Sequence, residues 1–427
     1  MTPRLLASTA LLSLLAGCSF YEEGDGITTG PVGSAGDATC SEDIYVPVGA
    51  QGTGFTELAP LHEEVYGDAP DPFQVRLQWP TSRPDLSAGF LWRTDVDTLA
   101  TVAEFWADGE EPTRVEGATF VFGDTDTFDG YRMHEVRLCG VLTPGTTYNY
   151  RVGGAEAWSD TYRFTTPEPP GTFDTVTVAI AGDSRGAYTT WASIVELMEA
   201  HDPDLYMFSG DMVDLGVAQG EWDGWIEAAG ELWTSKVMIP AHGNHEFLAK
   251  NYFAQFALPG NEEWFSVDYG PLHVISLNDW PRSENDLFTF QTNFVDSDLA
   301  ASDATWTFAE HHSPIYSACS RHGSRLDIRE EWAEQFEKGV DVVFAGHNHI
   351  YERSKPIRAG EESQDGVVYV VSGGGGAPLY EEVEDSWWNE VANPIEHYII
   401  AEISGNTATF TARDLDDNVI DTFTLTK

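Results

Sequence analysis

Val176-Thr177-Val178-Ala179-Ile180-Ala181-Gly182-Asp183-Ser184-Arg185-Gly186 decides how the larger part of this chain folds. Its first six residues read as a short buried strand, rich in β-branched side chains and without a charge. Polar residues and glycines follow, which make a loop. Beyond them Trp191, Ile194, Val195 and Met198 recur at helical spacing. The same succession of strand, polar loop and helix returns at Leu205–Ser209, Val237–Pro240, Leu272–Leu277, Thr305–Glu310 and Val340–Ala345. Alternation of this kind predicts layered α/β structure around a mainly buried sheet. It also gathers polar side chains in the loops after the strands, where open sheets carry their sites.

Upstream the pattern changes. From Asp43 to Thr166 the chain is strand-like, with Val75, Leu77 and Trp79 alternating with polar residues, as do Phe90 and Trp92. Thr119–Phe122, His134–Leu138, Tyr148–Val152 and Tyr162–Thr165 are further strand candidates, and turn clusters such as Thr143-Pro144-Gly145 separate them. Short strands at this spacing predict a small all-β sandwich. Pro167-Glu168-Pro169-Pro170-Gly171 is a stiff boundary between the two regions. The expected organisation is a leader at 1–17, a flexible linker at 18–40, a sandwich at 41–167 and an α/β domain at 171–427.

A length of 427 residues agrees with two domains. Seventy acids against 22 bases give a formal net charge of −48. Such a surface repels nucleic acid and keeps the protein soluble by self-repulsion. At the N-terminus Arg4 precedes an apolar stretch, Leu5–Leu15, which is too short to span a bilayer. It ends in Leu15-Ala16-Gly17-Cys18, which resembles a bacterial lipoprotein signal. The expectation is export and attachment to a membrane surface, periplasmic or at the cell exterior, through a lipid on Cys18. Among the remaining cysteines, Cys40 and Cys139 are the preferred disulfide pair, and Cys319 is a buried thiol.

The predicted strand ends carry Asp183, Asp211, Asn244-His245, His311-His312 and His347-Asn348-His349. One Asp after a strand is ordinarily a helix cap, and one His an ordinary surface or core residue. The set is different, because carboxylate, amide oxygen and imidazole recur at successive strand ends and can converge. That mixture suits Zn, Mn or Fe. Gly182, Gly210, Gly243 and Gly346 precede four of the sites, where the backbone bends into the loop.

The motifs Gly182-Asp183-Ser184-Arg185, Gly210-Asp211-Met212-Val213-Asp214, Gly243-Asn244-His245-Glu246, His312-Ser313-Pro314 and Gly346-His347-Asn348-His349 resemble those of the calcineurin-like metallophosphoesterases. Within them the chain looks most like purple acid phosphatases, which also carry a fibronectin-like domain in front. The run from Leu142 to Gly153 resembles the end of a fibronectin type III domain, where a tyrosine pins the corner between sheets. The resemblance implies a four-layer αββα metallophosphoesterase domain behind a fibronectin III-like sandwich. It also implies two transition-metal ions (Fe, Zn or Mn) acting on a phosphate ester substrate.

By that resemblance Asp211 bridges both metals, Asp183 and His349 bind the first, and Asn244, His312 and His347 bind the second. His312 fits the family's His-x-Pro pattern, supported by Trp306 six residues earlier; a register slip would put His311 there instead. His245 is expected beside the leaving group and His322 as a second substrate-facing histidine. Metal-bound hydroxide would attack phosphorus in line while His245 protonates the departing alkoxide. The implied activity is phosphate monoester hydrolysis. A phosphodiesterase or nucleotidase, or a non-catalytic surface lipoprotein retaining the scaffold, are the alternatives.

Two positions depart from the family. Its colour-giving tyrosine, three residues after the bridging aspartate, is Asp214 here, and the histidine that other members have two residues after the first aspartate is Arg185. The first metal thus lacks a ligand that water, Asp214 or a residue from elsewhere must supply. The expectation is a protein that is not purple, with Fe(III) less secure than Mn, Zn or Fe(II). Arg185 itself can grip a phosphate oxygen bidentately or pair with one of the many acids. Gly373–Gly376 is not followed by Lys-Ser or Lys-Thr, so it reads as a turn after a strand rather than a nucleotide loop.

Overall fold

Two antiparallel sheets face each other in the N-terminal half of the computed structural model, which describes residues 34–40, 64–122, 131–281 and 283–427 and the backbone of three short strands, Phe20–Tyr21, Ile44–Tyr45 and Glu57–Pro60. The expected leader and Cys18 lie outside the described residues. One sheet has five strands in the order Glu57–Pro60, Ala118–Phe122, Tyr131–Leu138, Ala88–Asp95, Phe73–Gln78. In the other, Thr147–Gly154 pairs with Val102–Ala107, Ala157–Trp158 and Tyr162–Thr165. Alternation along the strands turns Phe90, Tyr150 and Phe164 into the space between the sheets, where Phe90 stacks on Tyr150 at 4.2 Å. The expected tyrosine corner is present: the Thr143 N–H donates to the Tyr148 hydroxyl at 3.0 Å. The Tyr150 hydroxyl continues outward and donates to the Thr234 carbonyl at 2.6 Å, fastening the sandwich to the following domain.

That domain is built on two stacked sheets. The first has six strands, ordered Met238–Pro240, Leu205–Phe208, Thr175–Ala181, His397–Ser404, Thr407–Asp414, Val419–Thr426. The second has seven, with Leu272–Ser276, Trp306–Glu310, Val342–Ala345 and Val368–Ser372 running parallel at its centre. Phe308 and Phe344 of the second sheet meet Phe410 of the first, with ring centroids 5.4 and 6.2 Å apart, so the main core lies between the sheets. Helix Tyr188–Glu199 buries Trp191, Ile194, Val195 and Met198, the four residues whose spacing predicted it. Trp191 stacks on Trp225 of helix Gln219–Ala228, and these helices form one outer layer. Helices Gln291–Ala301 and Leu326–Phe336 form the other, burying Phe294, Val295, Ile328, Trp332 and Phe336. The result is the αββα arrangement. Each fully buried aromatic here contributes on the order of 2–3 kcal/mol of transfer free energy.

The expected linker is not free along its whole length. The Ala35 N–H donates to Asp298 Oδ1 at 2.6 Å and the Gly36 N–H to Asp268 Oδ2 at 2.8 Å, while Cys40 is disulfide-bonded to Cys139 with Cα atoms 5.7 Å apart. Residues 34–40 therefore lie against the α/β domain and are tied covalently to the sandwich. A Gly- and Ser-rich composition predicts flexibility, but here two carboxylates capture the backbone donors that such a segment leaves open. Cys319 is buried and free, and burial pushes its thiol up to about 11, which leaves it unreactive.

The same two acids hold His273. Its Nδ1 lies 2.7 Å from Asp268 Oδ1 and its Nε2 lies 2.8 Å from Asp298 Oδ2. Burial disfavours the imidazolium, but its hydrogen bonds to the Asp268 and Asp298 carboxylates overcome that and carry His273 up to about 9. A folded-state value above the unfolded one means the contribution is complete below pH ~6.5 and is lost as pH rises toward 9. We expect chemical denaturation to show stability falling by about 2–3 kcal/mol across that window, a fall that His273→Asn removes. Equal pH slopes for the two proteins would contradict this.

Candidate metal centre

The loops that leave the strands Thr175–Ala181, Leu205–Phe208, Met238–Pro240, Trp306–Glu310 and Val342–Ala345 converge at one end of the stacked sheets. They bring two groups of ligand atoms together, Asp183 with Asp211 and His349, and Asp211 with His312 and His347. Within each group the atoms lie within 4.8 Å of one another, and Asp211 belongs to both. Asn244 joins the second group, its Oδ1 3.0 Å from His312 Nε2.

The backbone is bent sharply to achieve this. Asp183, Asp211 and His347 all have left-handed φ values, of 59°, 57° and 64°. Non-glycine residues adopt that region at an energetic disadvantage of roughly 1–3 kcal/mol and gather in it at functional sites. The glycines before the ligands serve close approach, and Gly210, at φ 85°, turns the chain as well. A Cβ on Gly346 would stand 2.2 Å from Asp183 Oδ2, and one on Gly210 would stand 2.7 Å from His312 Nδ1.

Four of these residues are also oriented. The His312 Nδ1–H donates to the Ser209 carbonyl at 2.8 Å and the His349 Nδ1–H to the Pro378 carbonyl at 2.7 Å, leaving both Nε2 atoms to face the carboxylates. Asp183 accepts from the His347 N–H at 2.9 and 3.0 Å. Asp211 Oδ1 accepts from the His245 N–H at 2.9 Å. The buried Glu246 carboxylate accepts from the N–H groups of Asp211, Met212 and Gly243 at 2.7–2.9 Å, so it shapes the loop that carries the shared ligand.

Electrostatics agree with a cation site. Burial opposes charge on His312, yet the carboxylates of Asp211 and Asp183 push it up to about 10. Burial would raise Asp211, but His312 and His245 hold it well below the usual carboxylate range. Burial and the neighbouring His312 push His347 down to about 3, and a cation bound here would take the place of the proton that the acids favour on His312. Buried carboxylates, three imidazoles, two of them tied through their far nitrogens, and one carboxamide oxygen are a donor set that fits two first-row transition-metal ions.

Every predicted site residue is at or beside this centre. His245 donates from Nδ1 to the Asp214 carbonyl at 2.7 Å, which leaves Nε2 4.0 Å from Asp211 Oδ2. Of the two roles open to it, Arg185 shows the acid pairing: Nη1 pairs with Asp214 Oδ1 at 2.9 Å, and Nε lies 3.5 Å from Asp211 Oδ2. The ring of His322 lies 4.3 Å from that of His347. The register at the two adjacent histidines is that of His312. His311 is buried away from the site, its ring against Trp332 and Phe336.

Asp214, one of the groups offered for the first metal, is instead turned to Arg185 and His245. Two residues at the site had no predicted role. Glu246 was quoted only as part of a motif, and its three N–H partners appear only once the loops fold together. Tyr380, whose ring stacks on His349 at 4.2 Å, carries no periodicity or spacing signal at all.

Comparison with known proteins gives the same picture from outside. Residues 72–166 match the purple acid phosphatase N-terminal domain and residues 176–351 the calcineurin-like phosphoesterase family. Purple acid phosphatase 21 of Arabidopsis thaliana is 28% identical over 309 residues, spanning 67% of this chain and 68% of the plant protein. Acid phosphatase type 7 of Homo sapiens is 27% identical over 322 residues, spanning 67% of this chain and 71% of its own. The solved structure of a purple acid phosphatase from yellow lupin (Lupinus luteus) seeds shares the fold, with a TM-score of 0.73 and 20% identity over 83% of this chain and 74% of the lupin chain. With a calcineurin-like phosphoesterase domain set behind a purple acid phosphatase N-terminal domain, this chain is a metallophosphoesterase of that family.

Proposed function

We propose that the enzyme hydrolyses phosphate monoesters at a centre of two metal ions that share Asp211. The observation that carries this reading is the convergence of two ligand groups on one buried carboxylate. Asp183, Asp211 and His349 would hold one ion, and Asp211, Asn244, His312 and His347 the other. When bound, two such cations neutralise the ester's charge and lower the pKa of the attacking water.

The remaining steps belong to the chain. Arg185 offers Nε beside Asp211, placed to take an anionic phosphate oxygen once substrate competes with Asp214. His245 presents Nε2 to the site, with Nδ1–H fixed by the Asp214 carbonyl, and would pass a proton to the departing alkoxide. His322, exposed beside His347, would touch the ester group. Burial lowers its pKa and His349 lowers it further, so it would serve as a neutral hydrogen-bonding group.

A monoester carries one more anionic oxygen than a diester, and Arg185 gives that oxygen a partner. With p-nitrophenyl phosphate and bis(p-nitrophenyl) phosphate, kcat/KM should favour the monoester by about 10- to 100-fold, the worth of one hydrogen bond to a charged group. Arg185→Ala should erase most of that preference. A wild-type enzyme faster on the diester would overturn the monoesterase assignment in favour of the diesterase alternative.

A further inference from the structure

We propose that Tyr380 supplies the first metal position with a phenolic oxygen ligand. The proposal rests on the two-metal reading of the site and adds a donor to it. His349 uses Nδ1 for the Pro378 carbonyl, so Nε2 is its only free donor, and that atom lies 3.4 Å from Asp183 Oδ1. Tyr380 Oη lies 3.5 Å from the same nitrogen. Two donors on one ion, each bonded at about 2 Å, stand roughly 3–3.5 Å apart. The two rings are stacked nearly parallel, with an interplanar angle of 14° and centroids 4.2 Å apart, which carries the hydroxyl alongside Nε2.

The loop that delivers Tyr380 is fastened to both unshared ligands of that position. The Ala377 N–H donates to the Asp183 carbonyl at 2.9 Å and the Tyr380 N–H to the His349 carbonyl at 3.1 Å. The glycine run ahead of it permits this contact. A Cβ on Gly373 would stand 2.2 Å from the Asn348 carbonyl oxygen and 3.1 Å from Asp183 Oδ2. Gly373–Gly376 is thus the passage by which a tyrosine from after strand Val368–Ser372 reaches the metal loops. The Arg185 side chain lies within hydrogen-bonding reach of the phenol. On coordination the phenol gives its proton to water and the oxygen takes the place left open by Asp214, which faces Arg185 instead.

The expectation of a protein that is not purple was drawn from Asp214 and Arg185, and with Tyr380 as ligand it no longer holds for iron. Full-length wild type, Tyr380→Phe and Asp211→Asn, each stripped of metal, are reconstituted with Fe(III) and, separately, titrated calorimetrically with Zn(II). Wild type should develop a visible phenolate-to-iron absorption with tyrosinate modes in resonance Raman. Tyr380→Phe should lack both and bind Zn(II) at one of two sites at least about tenfold more weakly. Phenylalanine keeps the stack on His349, so a packing role alone would leave Zn(II) affinity unchanged. Iron-loaded wild type without the band, or Tyr380→Phe with the wild-type band or both wild-type Zn(II) affinities, would overturn the ligand assignment. Asp211→Asn should bind neither ion tightly; full binding by that variant would overturn the two-metal reading, and the Tyr380 assignment with it.

Discussion

Replacing Asp211 by Asn should abolish metal retention and hydrolysis together, with kcat/KM falling by about 10³-fold or more, the several kcal/mol that a metal centre supplies. Asp211 is the one carboxylate common to both ligand groups, and it is almost fully buried. An amide of the same shape keeps one oxygen acceptor but removes the charge that attracts two cations. The fold should survive. The Glu246 carboxylate bonds the backbone N–H of residue 211, and the His245 N–H can donate to an amide oxygen as it does to the carboxylate. Elemental analysis and thermal unfolding of the same preparation read both halves of the expectation. A folded variant that keeps two ions and wild-type turnover would contradict it.

His245→Ala carries the second-largest expected effect and separates chemistry from metal binding. The side chain stands outside both ligand groups, with Nε2 4.0 Å from Asp211 Oδ2 and Nδ1 committed to the Asp214 carbonyl. Its loss should leave metal content unchanged and slow the enzyme by about 10²–10⁴-fold on alkyl phosphates, the usual worth of a positioned general acid. Aryl esters with acidic leaving groups need little protonation and should be slowed far less. A plot of log kcat against leaving-group pKa should therefore steepen in the variant. Parallel plots for the two proteins would assign His245 to binding instead.

Much of this site was legible in the sequence, because metal ligation demands particular residue types and strands place them periodically. Asp183, Asp211, Asn244, His312, His347 and His349 each end a short apolar run, and a strand end is a position that sequence reveals well. The helix containing Trp191, Ile194, Val195 and Met198 was legible for a similar reason, since one face of a helix repeats every three or four residues. The two-sheet layering was not. Thr175–Ala181 pairs on one side with its sequence neighbour Leu205–Phe208 and on the other with His397–Ser404, more than two hundred residues away, and local pattern is silent on such pairing. Tyr380 escaped for the same reason. Its contact with His349 depends on a loop threading past Asp183, and nothing in the residues around it distinguishes it from a surface tyrosine. Residues 34–40 misled in the opposite sense, because small polar residues look flexible until Asp268 and Asp298 engage their backbone.

The pairing of Arg185 with Asp214 bears on how this enzyme differs from its relatives. By the resemblance the two residues stand at positions of histidine or tyrosine ligands, and here they bond each other at 2.9 Å. If Arg185 takes the phosphate as proposed, substrate competes with Asp214 for it, and that contest would reach His245, whose Nδ1 lies 3.7 Å from Asp214 Oδ1. Charge alone makes that pair a weak structural contributor, since Asp214 is well exposed and surface ion pairs are worth about 0–1 kcal/mol.

The central claim is that two metal ions share Asp211. It is tested most directly by a crystal structure of the Zn- or Mn-loaded enzyme with a bound phosphate analogue, using anomalous scattering at the metal edge. Two anomalous peaks on either side of Asp211 are expected, one against Asp183 and His349 and the other against Asn244, His312 and His347. A single peak, or none, at full metal supply would contradict the account.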